Sequence, residues 1–319
     1  MRPEWIGRRV VVRRVVGSDA GPRFSDTVGD LVHLDDERVE IESVRGAVQI
    51  DLAAIVEARL VEASTAAQLE LERVAAEGWR AAETEWIGGW LMRADHGWTG
   101  RANSALPLRA PRRPMAEMVA ATVDWYAQRG LPARIHVPMP ARRLLEGFLA
   151  DTPFRERDEL PDTGAWQPGP WIDVLTGRLD HMPARVSDDV TIASTPDAEW
   201  LALCRGGAVP AFGAELLARH ERAAFVKVYA DGEVAAIVRG AVDEGWLGVT
   251  ALEVAVGHRA RGHGRAAMAA VVAWARAEHG AVRGYLQVDA ANTAAAALYG
   301  SLGWWPHHSY RYWDHTPRT

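Results

Sequence analysis

The chain has 319 residues and a mass of 34.9 kDa, too long for one ordinary domain and enough for two or three. With 48% apolar residues, a net charge of −6 and a pI near 6.0, it can fill more than one core but lacks the basic balance of a dedicated nucleic-acid binder. No apolar run approaches the roughly 18 residues of a membrane span, and the Arg- and Val-rich stretch Arg8–Arg14 has none of the apolar core of a signal peptide.

Residues 1–60 read as all-β. Stretches 10–16, 27–34, 38–44 and 47–52 are short and β-branched. They are punctuated by Gly17, Gly21–Pro22, the acidic turn at 35–37 and Gly46. Strands at such spacing predict a small barrel, assigned to residues 1–62. Over residues 1–60 the charge is balanced, with 9 Arg against 11 Asp plus Glu. That favours an appended interaction or oligomerisation module, as a homodimer would use, over a nucleic-acid-binding barrel, which would need a basic face.

From Thr65 the texture becomes α/β. A helix is expected over 66–75 and strands over 86–93 and 101–106. The helix 115–128 carries Met118, Ala121, Thr122 and Trp125 at amphipathic spacing. A strand at 134–137, a helix at 141–149 and a strand from Phe154 follow. The Pro-, Gly- and Thr-rich stretch 161–196 reads as containing a linker. Of the 14 tryptophans, most should be core, with Trp86, Trp90 and Trp98 the candidates for a crevice.

A second α/β segment begins near Val190. Helices at 197–203 and 213–221 flank Cys204, the single cysteine. It excludes an intramolecular disulfide and any multi-cysteine metal site, and suits a reducing cytoplasm. Strands at 225–229 and 234–242 join through Asp231–Gly232, a hairpin signal. A strand at 246–256, a glycine-rich loop, a helix at 265–279, a strand at 284–288, a helix at 292–302 and a strand at 310–313 complete the chain. The order helix 115–128 then strand 134–137 parallels helix 265–279 then strand 284–288, so the two halves read as copies of one unit.

The chemistry lies in the second half. Val256-Gly257-His258-Arg259-Ala260-Arg261-Gly262-His263-Gly264-Arg265-Ala266 joins a strand to a helix. Glycines there let backbone N–H groups approach an anion at the positive end of the helix dipole. The loop lacks the Lys-Ser/Thr of a triphosphate loop and the third glycine of a dinucleotide fingerprint. Further on, Asn292 stands where a helix N-cap is expected, and Tyr299 lies two turns along the same face.

Together these stretches resemble the GNAT N-acetyltransferase family. Arg261-x-x-Gly264-x-Ala266 is similar to its acyl-CoA pyrophosphate loop. Asn292, Ala295, Leu298-Tyr299 and Gly303-Trp304 are similar to its second signature, with Trp in place of the usual Phe, and His258 stands where the family often has Pro. The resemblance covers about residues 190–313. It implies acetyl-CoA as co-substrate and a primary amine of a small molecule or amino acid as acceptor. Val254 and Val256 would offer backbone to the pantetheine. Arg261, Gly262, His263, Gly264, Arg265 and Ala266 would hold the pyrophosphate. Asn292 would touch the cofactor arm, Tyr299 would protonate the leaving thiolate, and a backbone N–H near Val254 would polarise the acetyl carbonyl. Glu253 is the first candidate for general base. Neither Asp243–Glu244, in a turn, nor His258 and His263 are preferred for that role. His307-His308 has no third ligand at metal spacing, so no metal is assigned.

The first half resembles a degraded copy. Arg112, Arg113 and Pro114 align with Gly262, His263 and Gly264, and Phe148 with Tyr299. Proline gives no N–H, and arginine at a glycine position blocks backbone approach. The expected fold is therefore mixed α/β: a barrel at 1–62, a degenerate GNAT-like lobe at 63–180 and a catalytic lobe at 181–319. An added barrel of this kind is similar to that of a group of actinobacterial GNAT proteins labelled N-acetylglutamate synthase-like; a glutamate acceptor would need cationic groups for two carboxylates, which 35 arginines do not single out in the sequence. The tandem layout also resembles mycothiol synthase, which would acetylate a sugar-linked cysteine amine. An acyl-CoA sensor or scaffold without catalysis is the alternative from another class.

Overall fold

The computed structural model describes residues 1–17, 23–43, 45–150 and 165–316. The N-terminal unit has five antiparallel strands: β1 (Arg9–Val16), β2 (Arg23–Leu34), β3 (Arg38–Ser43), β4 (Gly46–Asp51) and β5 (Ile55–Leu60). Alternation turns Val10, Val12, Leu31, Val39, Ile41 and Ile50 onto one buried face. The order is β4-β3-β2-β1-β5, and among the described residues β4 and β5 do not pair. The expected barrel is thus an open sheet. The single 3-10 turn Leu52–Ala54 carries the chain from one edge to the other, and a register break at Arg13/Arg14 interrupts the β1–β5 ladder.

The first α/β half runs α1 (Thr65–Glu77), β6 (Glu83–Ile87), β7 (Trp90–Ala94), α2 (Met115–Ala127), β8 (Arg134–Met139) and α3 (Arg143–Ala150). Ser64 caps α1 through the N–H of Ala67. The strand expected over 86–93 is a hairpin, because Gly88 (φ 55°) and Gly89 (φ 98°) take the left-handed turn that only glycine adopts without strain. The stretch 101–106 is an irregular loop with isolated bridges at Ala105 and Leu106 rather than a strand. The strand expected from Phe154 lies outside the described residues.

The region expected to hold a linker contains β9 (Ala165–Pro168), β10 (Ile172–Arg178) and β11 (Val190–Ala193). Then come α4 (Ala198–Leu203), α5 (Ala211–Ala218), β12 (Ala223–Ala230), β13 (Glu233–Asp243), β14 (Trp246–Val254), α6 (His263–His279), β15 (Arg283–Asp289), α7 (Thr293–Gly300) and β16 (Trp305–Thr316). Asp197 caps α4 by accepting from Trp200 N at 2.9 Å. Gly280, at φ 60°, ends α6 in the left-handed conformation typical of helix stops.

One sheet unites both halves, in the order β11-β12-β13-β14-β15-β10-β16-β8, with β9 also on β16. β14 and β15 are parallel, and the other neighbours are antiparallel. The two halves exchange their last strands. β10, from before residue 180, pairs with β15 of the second half, and β16, the last strand of the second half, pairs with β8 of the first. Helix α6 packs on one face against Val226, Val238, Val249 and Leu286. The opposite face carries Trp200 of α4, Leu216 and Leu217 of α5 and Trp79 after α1, packed on Phe225 and Ile237. Among the described residues no single helix is long and apolar enough to cross a membrane.

Candidate active site

β14 and β15 pair only from Trp246–Val249 to Arg283–Leu286 and then part. Ala251, at φ 52°, forms a bulge where the β13–β14 register breaks between Ile237 and Arg239. A bulge bends its strand and strengthens the local twist, and here it turns the end of β14 away from β15. The fork leaves the backbone of 250–254 unpaired on that side. Below it the chain passes through the 3-10 turn Val256–His258, Ala260 at φ 59° and Gly262 at φ 90° into α6.

The first helical bond of α6 runs from Ala266 N to Gly262 O at 3.0 Å, and Gly262 provides no side-chain cap. The N–H groups of His263, Gly264 and Arg265 therefore emerge at the positive helix end without a backbone acceptor among the described residues. Such donors fit the pyrophosphate of a coenzyme A thioester. Gly264 forms the groove floor, since a Cβ there would stand 3.3 Å from Val254 Cγ2 and 3.5 Å from Leu298 Cδ2. The resulting cleft of about 630 Å³ lies between this loop and α7. Arg265 ties its two walls together by donating to Ser301 Oγ at 2.7 Å.

Of the residues singled out in the sequence, Glu253, Val254, Gly262, His263, Gly264, Arg265 and Tyr299 line this cleft, with His258 beside them. Val256, Arg261, Ala266 and Asn292 do not. The expected strand 246–256 stops at Val254, so Val256 falls in the 3-10 turn with its side chain 80% exposed. Arg261 points outward, 4.0 Å from Asp231. Asn292 turns its Oδ1 onto Ala295 N at 3.0 Å, capping α7. Sequence reading gave no role to Leu252, Arg259, Ala260 and Ala294, and Ala295 and Leu298, named only within the second signature, also line the cleft. Arg259 reaches back to Val254 O at 3.4 Å. Its position in the loop was visible, but its direction was not.

Tyr299 is 8% exposed, and its ring packs in the core shared by α6 and α7. Burial pushes its phenol up to about 12, with Arg101 pulling the other way, so it stays protonated at neutral pH. Glu253 sits on β14 beyond the fork and accepts the Arg205 N–H on Oε1 at 2.6 Å. Cys204 is buried, and burial, then the Glu253 charge, push its thiol up to about 11. Among the described residues no cluster of His, Cys, Asp and Glu is placed to hold a metal ion.

The corresponding loop of the first half is spent on the protein itself. Arg109 N and Arg112 N donate to Gly89 O and Gly88 O at 3.0 and 3.1 Å, Pro114 begins α2 without a side-chain cap, and Phe148 packs on that half's core. Trp90 is buried in the same core, whereas Trp86 is 48% exposed. Trp98 alone of the three candidates lies between the halves, within about van der Waals reach of Gly213, where a Cβ would stand 3.1 Å from the indole.

Residues 65–313 match the family described as "Probable histone acetyltransferase Rv0428c C-terminal". The chain is 31% identical to the "Probable histone acetyltransferase Rv0428c" of Mycobacterium tuberculosis, over 96% of this chain and 94% of that protein. It is 28% identical to the "Uncharacterized N-acetyltransferase YobR" of Bacillus subtilis, over 76% of this chain and 97% of the relative. A "GCN5-related N-acetyltransferase" from Kribbella flavida superposes with a TM-score of 0.58 at 17% identity, covering 79% of this chain and 96% of its own. That likeness speaks to the fold alone.

Proposed function

This chain belongs to the GNAT N-acetyltransferase family represented by the Rv0428c C-terminal domain, and we propose that it transfers an acetyl group from acetyl-CoA directly to the primary amine of a small molecule or amino acid. Acetyl-CoA supplies an activated acyl carbon, and the reaction exchanges a C–S bond for a C–N bond. The fork between β14 and β15, with an uncapped helix N-terminus below it and Tyr299 beside it, is the observation that carries this reading.

In it, the N–H groups of His263, Gly264 and Arg265 bind the pyrophosphate, and the unpaired backbone of β14 takes the pantetheine in the manner of an added strand. A backbone N–H near Val254 polarises the acetyl carbonyl. Tyr299 holds a proton for the departing thiolate. Glu253 offers its second carboxylate oxygen to the ammonium of the acceptor, which must lose a proton before it attacks. A thiol pushed up to about 11 is a poor acyl carrier, which favours a ternary complex over a relay through Cys204. An acid in the cleft is also more than an acyl-CoA sensor needs.

The name of the M. tuberculosis relative suggests a second acceptor, the lysine of a basic protein. The test is release of free CoA from acetyl-CoA by the purified chain across a panel of amines and a lysine-rich peptide. No release with any of them, from protein that binds acetyl-CoA, would reduce the chain to a binding protein.

A further inference from the structure

Three guanidinium groups gather on the face of the sheet opposite α6, around the mouth of the fork. The first comes from the other half of the molecule. Loop 95–104 is bracketed by Asn103, whose Oδ1 accepts from Asp95 N and Gly97 N at 2.6 and 2.9 Å and whose Nδ2 donates to Asp95 O and Thr99 O at 3.0 and 2.9 Å. The loop docks on the second half by stacking His96 on Phe212, with ring centroids 4.7 Å apart. It thereby carries Arg101 to Gln287, where Nε donates to Oε1 at 2.5 Å. Gln287 directly follows Leu286, the last residue of β15 paired with β14.

Arg101 Cζ lies 5.4 Å from the Trp79 ring, and Arg239 Cζ lies 5.4 Å from the same ring. Arg239 is 1% exposed and donates to Leu217 O and Gly78 O. The third group, Arg205, covers Trp98 at 4.5 Å, and its backbone N–H is fixed on Glu253 across the fork. Arg101 and Arg205 are thus anchored on the two lips, one on β15 and one on β14.

Among the described residues none of the three is in ion-pair contact with a carboxylate; their partners are an amide, carbonyls and indoles. Two other sheltered cations are paired with carboxylates, whereas buried Arg93 is satisfied by Ser104 O and Oγ. Lys227 is held by Asp197 and Glu199 at 2.5 and 2.6 Å, and Arg178 by Asp180 and Glu42 at 2.7 and 2.8 Å. Burial and the like charge of Arg101 both lower the pKa of Arg205, and burial brings Arg239 to about 10. A buried charge such as that of Arg239 is costly without a counter-charge, and an anion entering between the lips, beside half-buried Arg101 and exposed Arg205, would relieve that cost.

We propose that the first half completes the acceptor site by delivering Arg101, and that Arg101 and Arg205 select an acceptor amine bearing a carboxylate. Arg239 is buried and adds to the field without touching the acceptor. A lysine-rich peptide meets repulsion at the same place. This rests on the acetyl-transfer reading above.

The test measures CoA release by the full chain with matched pairs: glycine, β-alanine, 4-aminobutanoate, L-phenylalanine and L-glutamate, each against its carboxamide, with a lysine-rich peptide alongside. At least one carboxylate should exceed its amide in kcat/KM by more than about tenfold, as expected for a charge-assisted contact. Arg101→Gln and Arg205→Gln should each cost that carboxylate about tenfold or more, mostly in acceptor KM. The amide and the KM for acetyl-CoA should stay unchanged, and Arg101→Lys should recover part of the loss. Arg205 has an exposed side chain, so its variant keeps the fold. Amides or the peptide used as well as the carboxylates, or a preference that survives both substitutions, would overturn the proposal. CoA release with an amide or the peptide but with no carboxylate overturns it too while the acetyl-transfer reading stands. No CoA release with any amine would bring down both.

Discussion

Replacing Tyr299 by Phe removes one hydroxyl and keeps the ring. The side chain is 8% exposed and its ring packing is retained. The hydroxyl has no protein partner among the described residues, so no hydrogen bond is broken. Stability should therefore change by less than about 0.5 kcal/mol, and Tm by less than about 2 °C for a chain of this size. The lost proton donor should lower kcat at least about tenfold, or ~1.4 kcal/mol of barrier, with acetyl-CoA affinity unchanged. Burial sets a second signature. The unfolded phenol titrates near 10.0 and the folded one near 12. A raised acid pKa contributes stability that is intact below the unfolded value and declines as pH rises through the folded one. The variant should lose less stability than the parent across that alkaline window. Single-turnover CoA release and thermal melts at several pH values read both effects. An unchanged kcat, with the chemical step shown to be rate-limiting, would remove Tyr299 from the reaction.

Gly264→Val should fill the groove between Val254 and Leu298 and weaken acetyl-CoA binding by about a hundredfold, ~2.7 kcal/mol; calorimetry showing parental affinity in the folded variant would refute the assignment. Glu253→Gln keeps an oxygen for the Arg205 N–H but loses the charge, so the acidic limb of the kcat/KM profile should flatten; an intact limb would move the base elsewhere. Residues 181–319 alone lack β10, leaving the β15 edge and the core around Leu286 bare. That fragment should fail to melt cooperatively, whereas 63–319 should melt as a unit; a cooperative melt of the short fragment at the parental temperature would contradict the exchanged strands.

The groove was legible in the sequence because its chemistry is local. Gly262 and Gly264 fix a turn and a floor within three residues, and Asn292 to Tyr299 is one helix with its cap at one end and the proposed acid two turns along. The small turns were legible for the same reason, as at Asp231–Gly232. Local patterns misled where closure or direction depends on distant partners. Alternation announced strands in residues 1–60 but could not say that β4 and β5 stay apart. The family resemblance offered the backbone of Val256 and the side chain of Arg261; the tertiary structure puts Val256 in an exposed 3-10 turn and Arg261 4.0 Å from Asp231. Tertiary structure alone decided the rest. The exchange of β10 and β16 joins residues more than a hundred positions apart, and no periodicity encodes which edge a strand will join. The same folding brings Arg101 from one half to Gln287 of the other. With 35 arginines in the chain, only the position of each guanidinium relative to the fork separates a candidate ligand group from a surface charge.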